Sequence, residues 1–178
     1  KANQISLSDL KDTIVHKYHP KTKDELEHTI NEHISNKGPE CDLNDIDVSN
    51  IIDMSYLFCR ISEFNGDISQ WNVSNVKDMS SMFYKSNFDG DISNWEVSNV
   101  IDMFNMFFES NFNGDLSKWD VSNVKDMTGM FYKSNFDGDI SQWDVSSVTN
   151  ISGMFYKSNF NGDISQWDVS KVTNMAYM

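Results

Sequence analysis

A tryptophan returns every 24 residues: Trp71, Trp95, Trp119, Trp143 and Trp167. Phe64, Phe88, Phe112, Phe136 and Phe160 keep the same step, and so do Gly66, Gly90, Gly114, Gly138 and Gly162. In its full copies the unit reads F-[ND]-G-D-[IL]-S-x-W-x-V-S-[NS]-V-x-[DN]-[MI]-x-x-M-F-x-x-S-N. A unit of this size cannot bury its own Trp, Met and Phe, so the period demands a stack in which each copy rests on the next. The boundaries fall at 64–87, 88–111, 112–135 and 136–159, with an incomplete unit at 160–178. A degenerate first coil precedes them at 41–63. There Leu43, Ile46, Val48, Ile51 and Met54 stand 25 residues ahead of their counterparts in the first full unit.

Within a unit, I-x-x-W-x-V-x-x-V matches the strand pattern of a leucine-rich repeat. The spacing predicts a strand centred on Trp95-Glu96-Val97, with Trp95 and Val97 inward and Asn94, Glu96 and Ser98 outward. Asn99 then reads as a helix N-cap, and Val100, Met103, Met106 and Phe107 as the inner face of a short helix. Ser110-Asn111 ends that helix, and Asn113-Gly114 turns the chain into the next strand. The expected fold is an α/β repeat solenoid, a leucine-rich-repeat-like stack of short parallel strands and short helices.

Residues 1–40 differ in kind and read as an N-terminal helical cap on the solenoid of 41–178. They hold all four histidines and both prolines, with six lysines against seven acids. Thr22-Lys23-Asp24-Glu25 is a capping box, Leu26, Ile30 and Ile34 mark one helical face, and Gly38-Pro39 closes the helix. Residues 5–18, with Leu7, Leu10, Ile14 and Tyr18, give a second, weaker helical spacing.

The runs FNGDISQWNVSNVKDMSSMF and FDGDISQWDVSSVTNISGMF resemble the repeats of BspA-like leucine-rich repeat surface proteins, whose repeat is catalogued as a domain of unknown function. The segment Tyr18–Leu26 resembles the stretch that precedes those repeats. The resemblance covers nearly the whole chain and implies a cell-surface or extracellular protein that binds other proteins or host matrix. It carries no catalytic residues.

The net charge is −13, of which the repeats hold nearly all. That balance argues against a phosphate-binding face for nucleic acid and against docking onto anionic lipid. No apolar run approaches the roughly 18 residues of a membrane helix. The chain begins at Lys1 with neither an initiator Met nor a leader, the mark of a processed product or a fragment. It stops at Met178, before the Phe that each unit places after that Met. Further repeats, or another chain, are expected to cover the open end.

Several columns carry polar chemistry. Asp67, Asp91, Asp115, Asp139 and Asp163 follow the glycines. Stacked about 5 Å apart, such carboxylates repel by roughly 0.8 kcal/mol per pair in water. Bound calcium would relieve this, with Asn65, Asp89, Asn113, Asp137 and Asn161 as added oxygen donors. The alternative, which the lack of nonapeptide spacing favours, is that each Asp closes its own turn; on that reading no cofactor is needed. Asp78, Asp102 and Asp126, continued by Asn150 and Asn174, read as helix caps. Asn72, Glu96, Asp120, Asp144 and Asp168 lie on the outward strand face, either as a solvated surface or as a recognition strip for a basic protein or matrix partner. Tyr84, Phe108, Tyr132 and Tyr156 form an aromatic column that packs between coils or binds protein or sugar. Cys41 and Cys59, at the two ends of the first coil, are either a stapling disulfide or two thiols. No nucleophile has a convincing base, and every polar cluster recurs with the repeat, so the expected class is a non-catalytic binding module. The rival is a decoration or assembly protein in a larger particle such as a virion.

Overall fold

The computed structural model describes residues 15–59 and 61–178. Its one named helix, α1, runs Lys23–Lys37. Thr22 Oγ1 accepts from the Glu25 amide at 3.2 Å. The Glu25 carboxylate reaches one residue past the cap, to the Lys21 amide at 2.7 Å, so the box closes on Lys21 rather than on Thr22. Gly38, at φ +89°, ends the helix and donates to the Ile34 carbonyl at 2.8 Å. Leu26, Ile30 and His33 are its buried residues, while Ile34 packs at the margin. The His33 ring lies between the Thr29 carbonyl at 2.9 Å and Asp45 at 3.3 Å, under the Tyr18 ring. Tyr18 itself bridges Ile46 in parallel, which ties the N-terminal segment to the first coil. The helical spacing over residues 5–18 falls largely outside the described residues. Among those described, no helix is long and apolar enough to cross a membrane.

The repeats wind so that equivalent positions stack. Parallel bridges run Asp53–Asp78–Asp102–Asp126–Asn150–Asn174, one per coil. From that bridge onward every second amide donates to the coil ahead. Met79 donates to Asp102, Ser81 to Phe104, Phe83 to Met106 and Lys85 to Phe108, at 2.7–3.0 Å. The intervening amides close turns within the coil, Met82 to Met79, Tyr84 to Ser81 and Ser86 to Phe83, each at 3.2 Å. The short helix expected over this segment is therefore a run of successive turns. Its third turn positions need positive φ, as in a type II turn. Ser81, Asn105, Gly129 and Gly153 supply it in one column, and Lys85, Glu109, Lys133 and Lys157 in another. The expected strand at Trp95-Glu96-Val97 is instead a short link between two turns, one closed by Trp95 onto Ile92 and the other by Val100 onto Val97. Trp95 and Val97 are nevertheless buried and Asn94 and Glu96 exposed, while Ser98, expected outward, is half-buried.

Three columns of parallel aromatic rings fill the stack. Tryptophans follow one another at 6.4–6.5 Å between ring centroids. Phe58, Phe83, Phe107, Phe131 and Phe155 stack at 5.4–5.9 Å. Within each coil that ring also lies 4.2–4.5 Å from the Phe that opens the following unit. Each indole Nε1 donates to a carbonyl of the preceding coil, Trp119 to Ile92 at 3.1 Å, so the buried N–H is satisfied. Gly114 is not needed for a left-handed turn: a Cβ there would stand 2.7 Å from the Phe112 ring, which folds back across it.

Trp119→Ala should cost about 3–5 kcal/mol, the usual loss on emptying a buried aromatic site. Chemical denaturation gives the magnitude. Hydrogen exchange should show the loss of protection centred on the coils holding Trp95, Trp119 and Trp143.

Candidate functional site

The Gly-Asp column resolves into identical Asx turns. Asp67, Asp91, Asp115, Asp139 and Asp163 each accept the amide of the serine two residues on, at 2.9 Å. Hydrogen bonds from Ser93 and Ser141 hold the carboxyls of Asp91 and Asp139 below the ordinary aspartate range, despite repulsion from their neighbours in the column. In each turn it is Oδ1 of the carboxylate that is engaged by the serine amide. The neighbouring column does something the sequence did not suggest. Asn65 Oδ1 accepts the Asp89 amide, Asp89 accepts Asn113, Asn113 accepts Asp137, and Asp137 accepts Asn161, all at 2.8 Å. This ladder of alternating Asn and Asp joins coil to coil. Among the described residues, no group of three or more His, Cys, Asp and Glu side chains is gathered as metal ligands would be.

The bridge column uses the same local bond in a drier place. Asp78, Asp102 and Asp126 accept from Ser80, Phe104 and Thr128 at 2.7–2.8 Å, and Asn150 and Asn174 make the same contact at 3.1 Å. They close turns rather than cap helices. Asp102 is pushed above the ordinary range, first by burial and then by the charges of Asp78 and Asp126, against the pull of the Phe104 amide. Asn99, expected as a helix cap, instead donates from Nδ2 to the Ser74 carbonyl of the preceding coil at 2.7 Å.

The outward column is fully displayed. Asn72, Glu96, Asp120, Asp144 and Asp168 are all exposed. Asn72, Asp120, Asp144 and Asp168 also accept from a serine amide two residues on, at 3.0–3.1 Å, which fixes each side chain on the surface. Shallow grooves of about 300 and 390 Å³ run beside Asn72 with Glu96 and beside Glu96 with Asp120. From Asn65 to Asn75 and through its four equivalents, the sequence carries eleven acids against Lys118 and Lys171. This is one continuous acidic surface.

The aromatic column packs and is exposed at once. Tyr84, Phe108, Tyr132 and Tyr156 stack at 4.4–5.2 Å, each half-buried. Cys59 heads the same column, one coil before Tyr84, whereas Cys41 stands at the head of the glycine column, its carbonyl accepting from Asp67 at 3.2 Å. No disulfide joins the two. They belong to different columns, and burial of the Cys41 side chain raises its thiol pKa.

The chain was compared with known proteins. The family model described as Mycoplasma protein of unknown function, DUF285, matches residues 28–135 and again 108–178. No curated protein and no solved structure matches.

Two measurements follow from the carboxylates. The native state keeps the Asp102 proton longer than the unfolded chain does. Asp102 therefore lowers stability at neutral pH, and that loss fades as the pH falls through its raised pKa toward the ordinary value of about 4. Asp102→Asn should raise the melting temperature at pH 7, with a gain that shrinks in acid. Asp115→Asn with Asp139→Asn should cost little, because Asn accepts the same serine amide. The melting temperature of the wild type should be nearly the same in millimolar calcium and in chelator. A collapse on chelation would restore the calcium reading.

Proposed function

This chain belongs to the family described as Mycoplasma protein of unknown function, DUF285, and we propose that it is a non-catalytic binding module, displayed outside the cell, that presents its acidic surface to a cationic protein or matrix partner. The repeat solenoid is part of that reading, in a form whose coils are built from turns. The observation that carries it is the outward column: an exposed carboxylate or amide on every coil, held by a serine amide at Asn72, Asp120, Asp144 and Asp168. Pre-positioned side chains lose little freedom on binding, which favours recognition over mere solvation. Eleven acids on one strip also attract a basic partner from a distance, so association is fast and salt-sensitive. The resemblance of the repeats to BspA-like surface proteins supports the extracellular setting.

The test is binding of immobilised protein to a set of Lys- and Arg-rich proteins and matrix components over a range of salt. Affinity should fall steeply as salt rises. The triple change Asp120→Asn, Asp144→Asn and Asp168→Asn keeps the turns and should weaken binding by about tenfold or more, equivalent to about 1.4 kcal/mol. Binding indifferent to both salt and these substitutions would move the contact to another surface.

A further inference from the structure

The surface past the bridge has the opposite character. A groove of about 420 Å³ runs across the coils there, between Phe104, Phe108, Tyr132 and Tyr156, with Gly129 and Gly153 as its floor. The two glycines sit at the positive-φ column, where Ser81 and Asn105 carry side chains in earlier coils. Thr128 Oγ1, on the same wall, is buried without a hydrogen-bond partner. Five of the repeats' seven lysines flank the groove and its upstream continuation. Lys77 and Lys125 precede the bridge, and Lys85, Lys133 and Lys157 follow the aromatic column; all five are exposed. Lys85, Lys133 and Lys157 hold Nζ 5.2–5.5 Å from the neighbouring Tyr ring centroids. The acids of this segment are fewer and partly spent. Asp78, Asp102 and Asp126 are in their bridge turns, and Glu109 lies between Lys85 and Lys133 at 3.4 and 2.9 Å.

Ring geometry narrows the class of occupant. The faces of Phe108 and Tyr132 are covered by the rings above and below, at 4.4–5.2 Å, so these two rings turn their edges to the groove. A sugar stacks on an open ring face, which Phe108 and Tyr132 lack. Ring edges carry the positive end of the aromatic quadrupole, and with hydroxyl donors and ammonium groups they favour carboxylates. A row of carboxylates, one per coil, already exists on the acidic surface of the same molecule.

We propose that the aromatic, lysine-flanked groove takes the acidic strip of a second copy of this chain, so that copies associate side by side. The inference rests on the acidic strip being a binding surface, as proposed above, and names its partner. Both surfaces repeat with the coil spacing of a parallel bridge, about 4.8 Å. Asp120, Asp144 and Asp168 of one copy thereby face the groove of the other, whose lysines fall on successive coils at Lys133 and Lys157, after Glu109. The two surfaces are different, so the contact is heterologous: without a rotation that closes a ring it extends into an open array.

Sedimentation velocity over a concentration series tests this. In low salt the weight-average sedimentation coefficient of the wild type should climb with concentration, and in high salt it should return to the monomer value. Lys125→Gln with Lys157→Gln spares the Glu109 pairs. Asp144→Asn with Asp168→Asn keeps the turn contact that Asn72 makes in the first full unit. Each double variant should be monomeric alone. Mixed, they should form a one-to-one complex and nothing larger, because one good surface of each kind remains; this recovery also shows that both are folded. A wild type that stays monomeric in low salt overturns the proposal, and so does a closed dimer, a variant that assembles like the wild type, or a mixture that fails to pair. A monomeric wild type that binds a sulfated polysaccharide through Lys125 and Lys157 would overturn it as well and reassign the groove to an anionic polymer. Binding of basic proteins that persists without self-association would leave the acidic surface standing and remove only the second copy.

Discussion

Each coil depends on the amides of its M-x-x-M-F segment serving two masters in turn. Met79, Ser81, Phe83 and Lys85 donate to the coil ahead, while Met82, Tyr84 and Ser86 donate back within their own coil. A helix would send every amide back along its own chain and leave nothing to join the coils. An ordinary strand would send its amides across to neighbouring strands and make no turn. Alternation needs left-handed residues at fixed places, and eight non-glycine residues accept that conformation, among them Lys85, Glu109, Lys133 and Lys157. Each costs about 1 kcal/mol or more in isolation. The column persists because the bonds that it permits are repeated along the stack.

This explains what could be seen in the sequence and what could not. Burial was legible. Val76, Met79, Met82 and Phe83 are inward, as their spacing requires, and Trp71 with Val73 faces the core. Conformation was not, because a three- or four-residue spacing of apolar side chains satisfies a helix and a chain of turns equally well. The distinguishing signal was present in one column, where Asn105, Gly129 and Gly153 share the position after the bridge turn. A helix interior has no use for two glycines there. Leu26, Ile30 and Ile34 carry the expected stripe of the cap helix, yet the helix buries His33 and leaves Ile34 at the margin. The amphipathic stripe of a single short helix leaves such neighbours nearly equivalent.

The candidate site was legible in its positions and illegible in its electrostatics. The five Gly-Asp carboxylates and the three bridge aspartates make the same bond to an amide two residues on. Asp91 is nonetheless pulled down and Asp102 pushed up. The difference is depth in the stack, which spacing along a chain does not encode. Asp102 reads as a helix cap because its spacing puts it in the first turn of a helix after Asn99, so the difference in conformation carries over into the chemistry.

The ladder of Asn65, Asp89, Asn113, Asp137 and Asn161 alternates strictly, and each rung bonds to the next. Removing a single coil by recombination between repeats would set Asp89 directly against Asp137, or leave two asparagines adjacent. Two carboxylates one coil apart repel, whereas an asparagine between them doubles the distance and accepts the same amide. Removing or adding two coils leaves the alternation untouched. The ladder therefore repeats over a pair of coils, 48 residues, although the tryptophans count 24.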